Sequence, residues 1–154
     1  MLCKIGQPFV MNEVRYLTDF IAFAIKPLHV QIIDKLNKLK NVEDCALILP
    51  DGKLLIANSS LAKRLRPDDC MNIVDGFNNP PKTREEGLEF LDVLYNVVRA
   101  DKNSIYCKSS NGNGIVAVKT EEYVILATYI SSMYPSVCVE AVEKLGDYFK
   151  AKSH

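Results

Sequence analysis

Net charge is the first thing this sequence lacks: 19 Lys and Arg residues stand against 19 Asp and Glu, and the two signs are interleaved. Sequence-independent nucleic-acid binding needs clustered cations that displace counterions from phosphates. No nucleic-acid partner is therefore expected, and the run Lys63, Arg64, Arg66 is too short to alter that. Long hydrophobic runs are missing too. The stretch Phe20 to Ile25 is far too short to span a bilayer, and Asn12, Glu13, Arg15 and Asp19 break up the apolar region that a secretory signal requires. The five cysteines (Cys3, Cys45, Cys70, Cys107, Cys138) are odd in number and form no Cys-x-x-Cys pair, which argues against a disulfide framework or a zinc site. Free thiols filling apolar space in a reducing cytoplasm are expected. There is no internal repeat and no low-complexity segment.

Chemistry-bearing motifs are equally scarce. No Gly-x-x-x-x-Gly-Lys loop is present, and Asn111-Gly112-Asn113-Gly114 lies between two strand-like runs, where it reads as a hairpin turn. His29 and His154 are the only histidines, and neither has metal-ligand spacing. Asp68-Asp69 and Glu121-Glu122 fall in expected connections and read as solvated turns. No cysteine has the basic company that lowers a thiol pKa. The expectation is a non-catalytic protein with no cofactor and no metal.

What the sequence does have is 48% hydrophobic and 25% charged residues over 154 positions, enough for one core of ordinary size. From Asn12, apolar residues at helical spacing predict a helix that stops at Lys26-Pro27, giving an N-terminal helical extension over 1–26 and a domain over 27–154. Leu28, Ile32, Leu36 and Leu39 predict a second amphipathic helix to Lys40. Ala46–Leu49 and Leu54–Ala57, joined by Pro50-Asp51-Gly52-Lys53, predict a β-hairpin. Residues 59–82, rich in Pro, Asp and Asn, predict a long connection with at most one helical turn around Leu61 to Leu65, serving as a lid, a partner surface or a plain loop.

Thr83-Arg84-Glu85-Glu86 has capping-box spacing and predicts a helix from 83 to about 100. Strands are expected at 104–108, 115–119 and 123–130, and a terminal helix from Pro135 carrying Cys138, Ala141, Val142, Leu145 and Phe149.

On a helical wheel, the apolar residues of 88–98 form two stripes: Leu88, Leu91, Tyr95 and Val98 beside Phe90, Val93, Leu94 and Val97. Together they cover roughly 220° of the circumference, about twice what one sheet needs. The extra N-terminal helix or the 59–82 loop could cover the second stripe; so could a second copy of the chain.

The pattern from Leu28 to Ala151 resembles the roadblock family of dynein light chains and of Ras-like GTPase regulators and scaffolds. The resemblance rests on a helix leading through Val42-Glu43-Asp44-Cys45 into Ala46–Leu49, then Asp51-Gly52, then Leu54-Leu55-Ile56-Ala57-Asn58-Ser59. It implies an α+β fold, a five-stranded antiparallel sheet of order 2-1-5-4-3 with helices on both faces. It also implies a homodimer through the helix over 83–100 and the strand after it, with Phe90, Val93, Leu94, Val97, Ile105 and Tyr106 at the interface. The partner it implies is a small Ras-like GTPase, toward which Arg64 and Arg66 are the candidate binding residues. A second reading is a small-molecule-sensing domain of the related profilin-like or PAS-like layout.

Overall fold

The computed structural model describes residues 27–152. The helix expected from Asn12 and the 1–26 extension lie outside the described residues, as does His154. Two compact units divide the chain, Met1–Gln31 and Ile32–His154. The sheet and its covering helices belong to the second; of the first, only the start of one helix is described.

The elements in order are α1 (Leu28–Asn37), β1 (Asp44–Ile48), β2 (Leu54–Ala57), α2 (Ser59–Ala62), α3 (Pro67–Asn78), α4 (Pro80–Glu86), β3 (Leu88–Phe90), β4 (Val93–Ala100), β5 (Ser104–Lys108), β6 (Gly114–Lys119), β7 (Val124–Tyr129) and α5 (Pro135–Lys152). All strand pairings are antiparallel, in one sheet of order β2-β1-β7-β6-β5-β4-β3. The five-stranded roadblock sheet is thus overturned. The sheet has seven strands, and the two additional ones come from the segment expected to be the interface helix.

That segment fails as a helix for a local reason. Helix α4 ends at Gly87, whose φ of 82° and ψ of −170° fall in a region essentially restricted to glycine. Four residues later the chain reverses through Leu91 (φ 51°) and Asp92 (φ 64°), a two-residue turn that pairs Phe90 with Val93, Glu89 with Leu94 and Leu88 with Tyr95. Left-handed backbone at both central residues matches the right-handed twist of a hairpin. Thr83, read as a helix start, lies inside α4; its buried hydroxyl donates to the Gly76 carbonyl at 2.8 Å.

The expected loop over 59–82 is also overturned, since it folds as α2, α3 and the start of α4. Pro67 opens α3 and Pro80-Pro81 open α4, positions where a missing N–H costs nothing and the fixed φ suits a helix. Cys70, Ile73, Val74 and Phe77 then recur at helical spacing and are buried.

Two cores sandwich the sheet. On one side α2, α3 and β3 cover Ala46, Ile48, Ile105, Cys107, Ile115, Ala117, Val124 and Leu126. On the other, Ile32, Ile33 and Leu36 of α1 and Cys138, Val142 and Phe149 of α5 pack on Cys45, Leu47, Val116, Val118, Ile125 and Ala127. Strands β1, β6 and β7 are therefore buried on both faces, which is why their sequences run apolar without alternation. Among the described residues no helix is long and apolar enough to cross a membrane.

A Cβ added at Gly87 would meet the Tyr95 carbonyl oxygen at 2.8 Å in addition to the backbone strain. Gly87→Ala is expected to destabilise the fold by about 1–3 kcal/mol, read as a lower urea midpoint with an unchanged slope.

Candidate functional site

Two surfaces of this fold expose apolar side chains in an organised way. The first is the outer face of β4. Along this strand Tyr95, Val97 and Ala100 turn toward the α3 core, so the alternate residues Leu94, Asn96 and Arg99 face the side on which α1 and α5 lie. Among the described residues helix α5 packs mainly on β6 and β7, and the β4 face stays open. Register slips between Val97 and Arg99, which pair with Cys107 and Tyr106. Val98 is the extra residue of this β-bulge, a device that re-aims one side chain while leaving the strand in place. It is 72% exposed, and Leu94 is 59% exposed.

The Arg99 guanidinium lies 5.4 Å from the centre of the Tyr106 ring and pairs with Asp101 at 3.0 Å. The Tyr106 hydroxyl donates a short hydrogen bond to Glu143 of α5, and Ser104 Oγ donates to the same oxygen at 2.8 Å. Burial first, then the adjoining carboxylate, pushes the Tyr106 phenol up to about 12. The polar groups around this apolar surface are thus already paired and fixed in place.

The second surface is a groove between α1 and α5, lined by Ile32, Lys35, Leu36, Leu39, Ala141, Lys144, Leu145 and Tyr148, with a volume of about 450 Å³. Apart from its two lysines the lining is nearly all carbon; Lys144 pairs with Glu140 at 2.8 Å. In the turn after α1, Asn41 takes a φ of 71°, and its carboxamide oxygen accepts the Tyr134 N–H at 2.8 Å. That bond ties the connection after α1 to the start of α5 and fixes one end of the groove. Phe149, buried beside the rim residue Tyr148, packs at a tilt against Tyr123 with ring centres 5.2 Å apart.

The residues singled out from sequence are dispersed by this geometry. Phe90 and Ile105 are fully buried and cannot meet a partner. Val97 packs inward, Tyr106 is half-buried, and Val93 and Leu94 are exposed. Arg64 binds Asp44 at 2.6 Å, and Asp44 in turn accepts from Asn58 at 2.8 Å. Arg66 binds Asp69 and Asp92.

Asp69, expected to be a solvated turn residue, is only 2% exposed. Burial alone would raise its pKa, but the Arg66 guanidinium and the backbone N–H groups of Leu91 and Arg66 outweigh that and hold it below the usual carboxylate value. Burial raises the thiols of Cys45, Cys107 and Cys138 to about 12 and that of Cys70 to about 11, so all four are protonated and unreactive at neutral pH. Among the described residues no group of three or more Asp, Glu, His or Cys could hold a metal.

Sequence reasoning placed Val98 on an apolar helical stripe but assigned no binding role to it, to Arg99 or to Tyr148. For the first two the usable signal was Gly87, a helix stop directly after the supposed capping box.

Comparison with known proteins gives this geometry a lineage. The profilin family model matches residues 29–154. The chain belongs to the profilin family. It is 45% identical over 130 residues to Profilin-4 of Bos taurus, covering 82% of this chain and 98% of that one. The crystal structure of Acanthamoeba castellanii profilin II superposes with a TM-score of 0.67 at 26% identity, over 74% of this chain and 89% of that one. The same fold occurs in a LokiProfilin2/rabbit actin complex (TM-score 0.66, 14% identity, 79% and 95% covered). It occurs again in mouse profilin IIa bound to a double repeat from the FH1 domain of mDia1 (TM-score 0.66, 13% identity, 83% and 100% covered).

These findings overturn the roadblock resemblance and, with it, the homodimeric dynein-light-chain-like adaptor or regulator of a Ras-like GTPase. The helical stripe that called for a second copy does not exist: its residues divide between a buried core and a hairpin. Of the second reading, the profilin-like layout stands.

The Asp69 carboxylate supplies a test of the local electrostatics. Its folded pKa lies below the unfolded value, so its contribution is complete above about pH 4 and is lost as pH falls through the folded value. Between about pH 5 and pH 2 the wild type should lose more unfolding free energy than Asp69→Asn. Equal pH slopes in parallel urea titrations would contradict the assignment.

Proposed function

We propose that this chain is a cytoplasmic, non-catalytic regulator of actin that holds an actin monomer on the open face of β4 and β5. The observation that carries the reading is Val98, a large apolar residue set 72% into solvent by a bulge, in a chain of the profilin family whose fold is shared by LokiProfilin2 in its complex with actin. Exposed apolar side chains ringed by fixed polar groups have the anatomy of an interaction core and rim. Arg99, Tyr106 and Glu143 supply that rim.

The groove between α1 and α5 supports a second binding activity of the same protein. An extended proline-rich segment loses little conformational entropy on docking and prefers apolar, aromatic-edged grooves. Such a segment, of the kind represented by the FH1 repeat bound to mouse profilin IIa, suits a lining of Leu36, Leu39, Leu145 and Tyr148.

Titration calorimetry with monomeric actin tests the first activity. Leu94→Asp with Val98→Asp is expected to weaken binding by at least tenfold, because removing a well-buried anchor costs roughly 2 kcal/mol or more. Unchanged affinity would remove actin from this face, and no binding by the wild type at tens of micromolar would remove it from the protein. In parallel, Tyr148→Ala should weaken an FH1-repeat peptide by about three- to tenfold while leaving actin affinity alone. Equal loss for both partners would show that the two surfaces are not separate.

A further inference from the structure

The turn at the end of the β4 hairpin is built from residues unsuited to it. Two-residue turns with both central residues left-handed are dominated by Asn and Gly, whereas this one uses Leu91 at φ 51° and Asp92 at φ 64°. Something outside the turn must hold it. That support is a single buried carboxylate. Asp69 Oδ1 accepts the Leu91 N–H at 3.0 Å and Arg66 Nη2 at 3.2 Å; Oδ2 accepts the Arg66 backbone N–H at 3.0 Å and Nε at 3.1 Å. The same Nη2 reaches Asp92 Oδ1 at 3.0 Å. One Asp–Arg pair at the start of α3 thus grips both left-handed residues, one through its main chain and the other through its side chain.

The grip has a consequence for the outer face. The turn sets the pairing of Phe90 with Val93 and of Glu89 with Leu94, and a one-residue slip in a strand sends every side chain to the opposite face. Leu94 is displayed only while that register holds, whereas Val98 and Arg99 are set by the ladder with β5.

We propose that Asp69 is a positioning residue for partner binding: through Arg66 and the Leu91–Asp92 turn it keeps the start of β4 in the register that presents Leu94, beside the Val98 and Arg99 that the β4–β5 ladder presents. The proposal deepens the actin reading and rests on it for its affinity readout, but not for its structural one. A ligand's apparent affinity falls in proportion to the population of the competent conformation. Loosening the turn should therefore weaken binding without any contact being removed.

The experiment compares wild type, Asp69→Ala, and Asp69→Ala combined with Leu91→Asn and Asp92→Gly. The last pair makes the turn left-handed by its own preference. Two quantities are measured at a temperature well below melting, where loss of stability alone cannot change affinity: the Kd for monomeric actin, and amide hydrogen exchange of residues 93–95 in the absence of actin. Asp69→Ala is expected to raise Kd by about tenfold and to speed exchange at 93–95; the turn replacement should return both to within about twofold of wild type.

Unchanged exchange and affinity in Asp69→Ala would overturn the proposal. So would losses that the turn replacement does not repair, since Asp69 would then act only as the cap of α3. Should Asp69→Ala fail to fold, Asp69→Asn, isosteric but uncharged, carries the same comparison in smaller steps. Absence of actin binding by the wild type would sink the actin reading, while the exchange measurements would still decide whether the clasp exists.

Discussion

A sheet wider than its helical cover is the constraint from which the surfaces of this protein follow. Seven strands at ~4.8 Å spacing are about 29 Å across, whereas two helices lying side by side cover about 20 Å. On the α1 and α5 side, cover extends over β1, β7 and β6 and ends before β4. The opposite side is closed by α2, α3 and β3, so Ala46, Ile105, Ile115 and Leu126 are sealed there. Among the described residues one face of the sheet therefore ends uncovered, and the seam between the two covering helices becomes the groove.

The two surfaces differ in how they are made. The groove is a by-product of helix packing: α1 and α5 commit Ile33, Leu36, Cys138, Val142 and Phe149 to the sheet, and what is left above them is Leu39, Leu145 and Tyr148. The β4 face instead depends on backbone irregularity, with a glycine-restricted stop at Gly87, a left-handed turn at Leu91–Asp92 and a bulge at Val98. Each of these breaks the regular strand pattern, and the turn is held from outside. Asp69 and Arg66 hold the turn, and Arg84 donates to the Ala100 carbonyl at the far end of β4 at 2.5 Å.

Strands were legible where burial on both faces made the sequence continuously apolar, as in Ala46–Leu49 and Val124–Tyr129. The terminal helix was legible from Cys138, Val142 and Phe149, all buried as its periodicity required. The β3–β4 hairpin was not legible, because Leu and Asp in left-handed backbone give none of the Asn-Gly signal that marks such turns, and because Val93 to Ala100 has the apolar spacing of a helix as well as of a strand. Prolines mislead in the other direction: Pro67, Pro80 and Pro81 read as loop markers, yet they lie in the first turns of two helices. The roadblock resemblance then supplied a purpose for a helix that does not form. Of the residues expected at an interface, Val93 and Leu94 are exposed; the display of Val98 was hidden because a bulge is a property of pairing, which no single strand reveals.

That bulge has one further bearing on how the protein could diversify. Val98 belongs to neither alternation of β4: it is not among the residues that fill either core, and its neighbours Val97 and Arg99 keep their partners across the ladder whatever side chain sits between them. Position 98 is consequently a place where related chains can exchange size, charge or shape with little repacking. The identity of what is bound can drift there while the architecture stays constant.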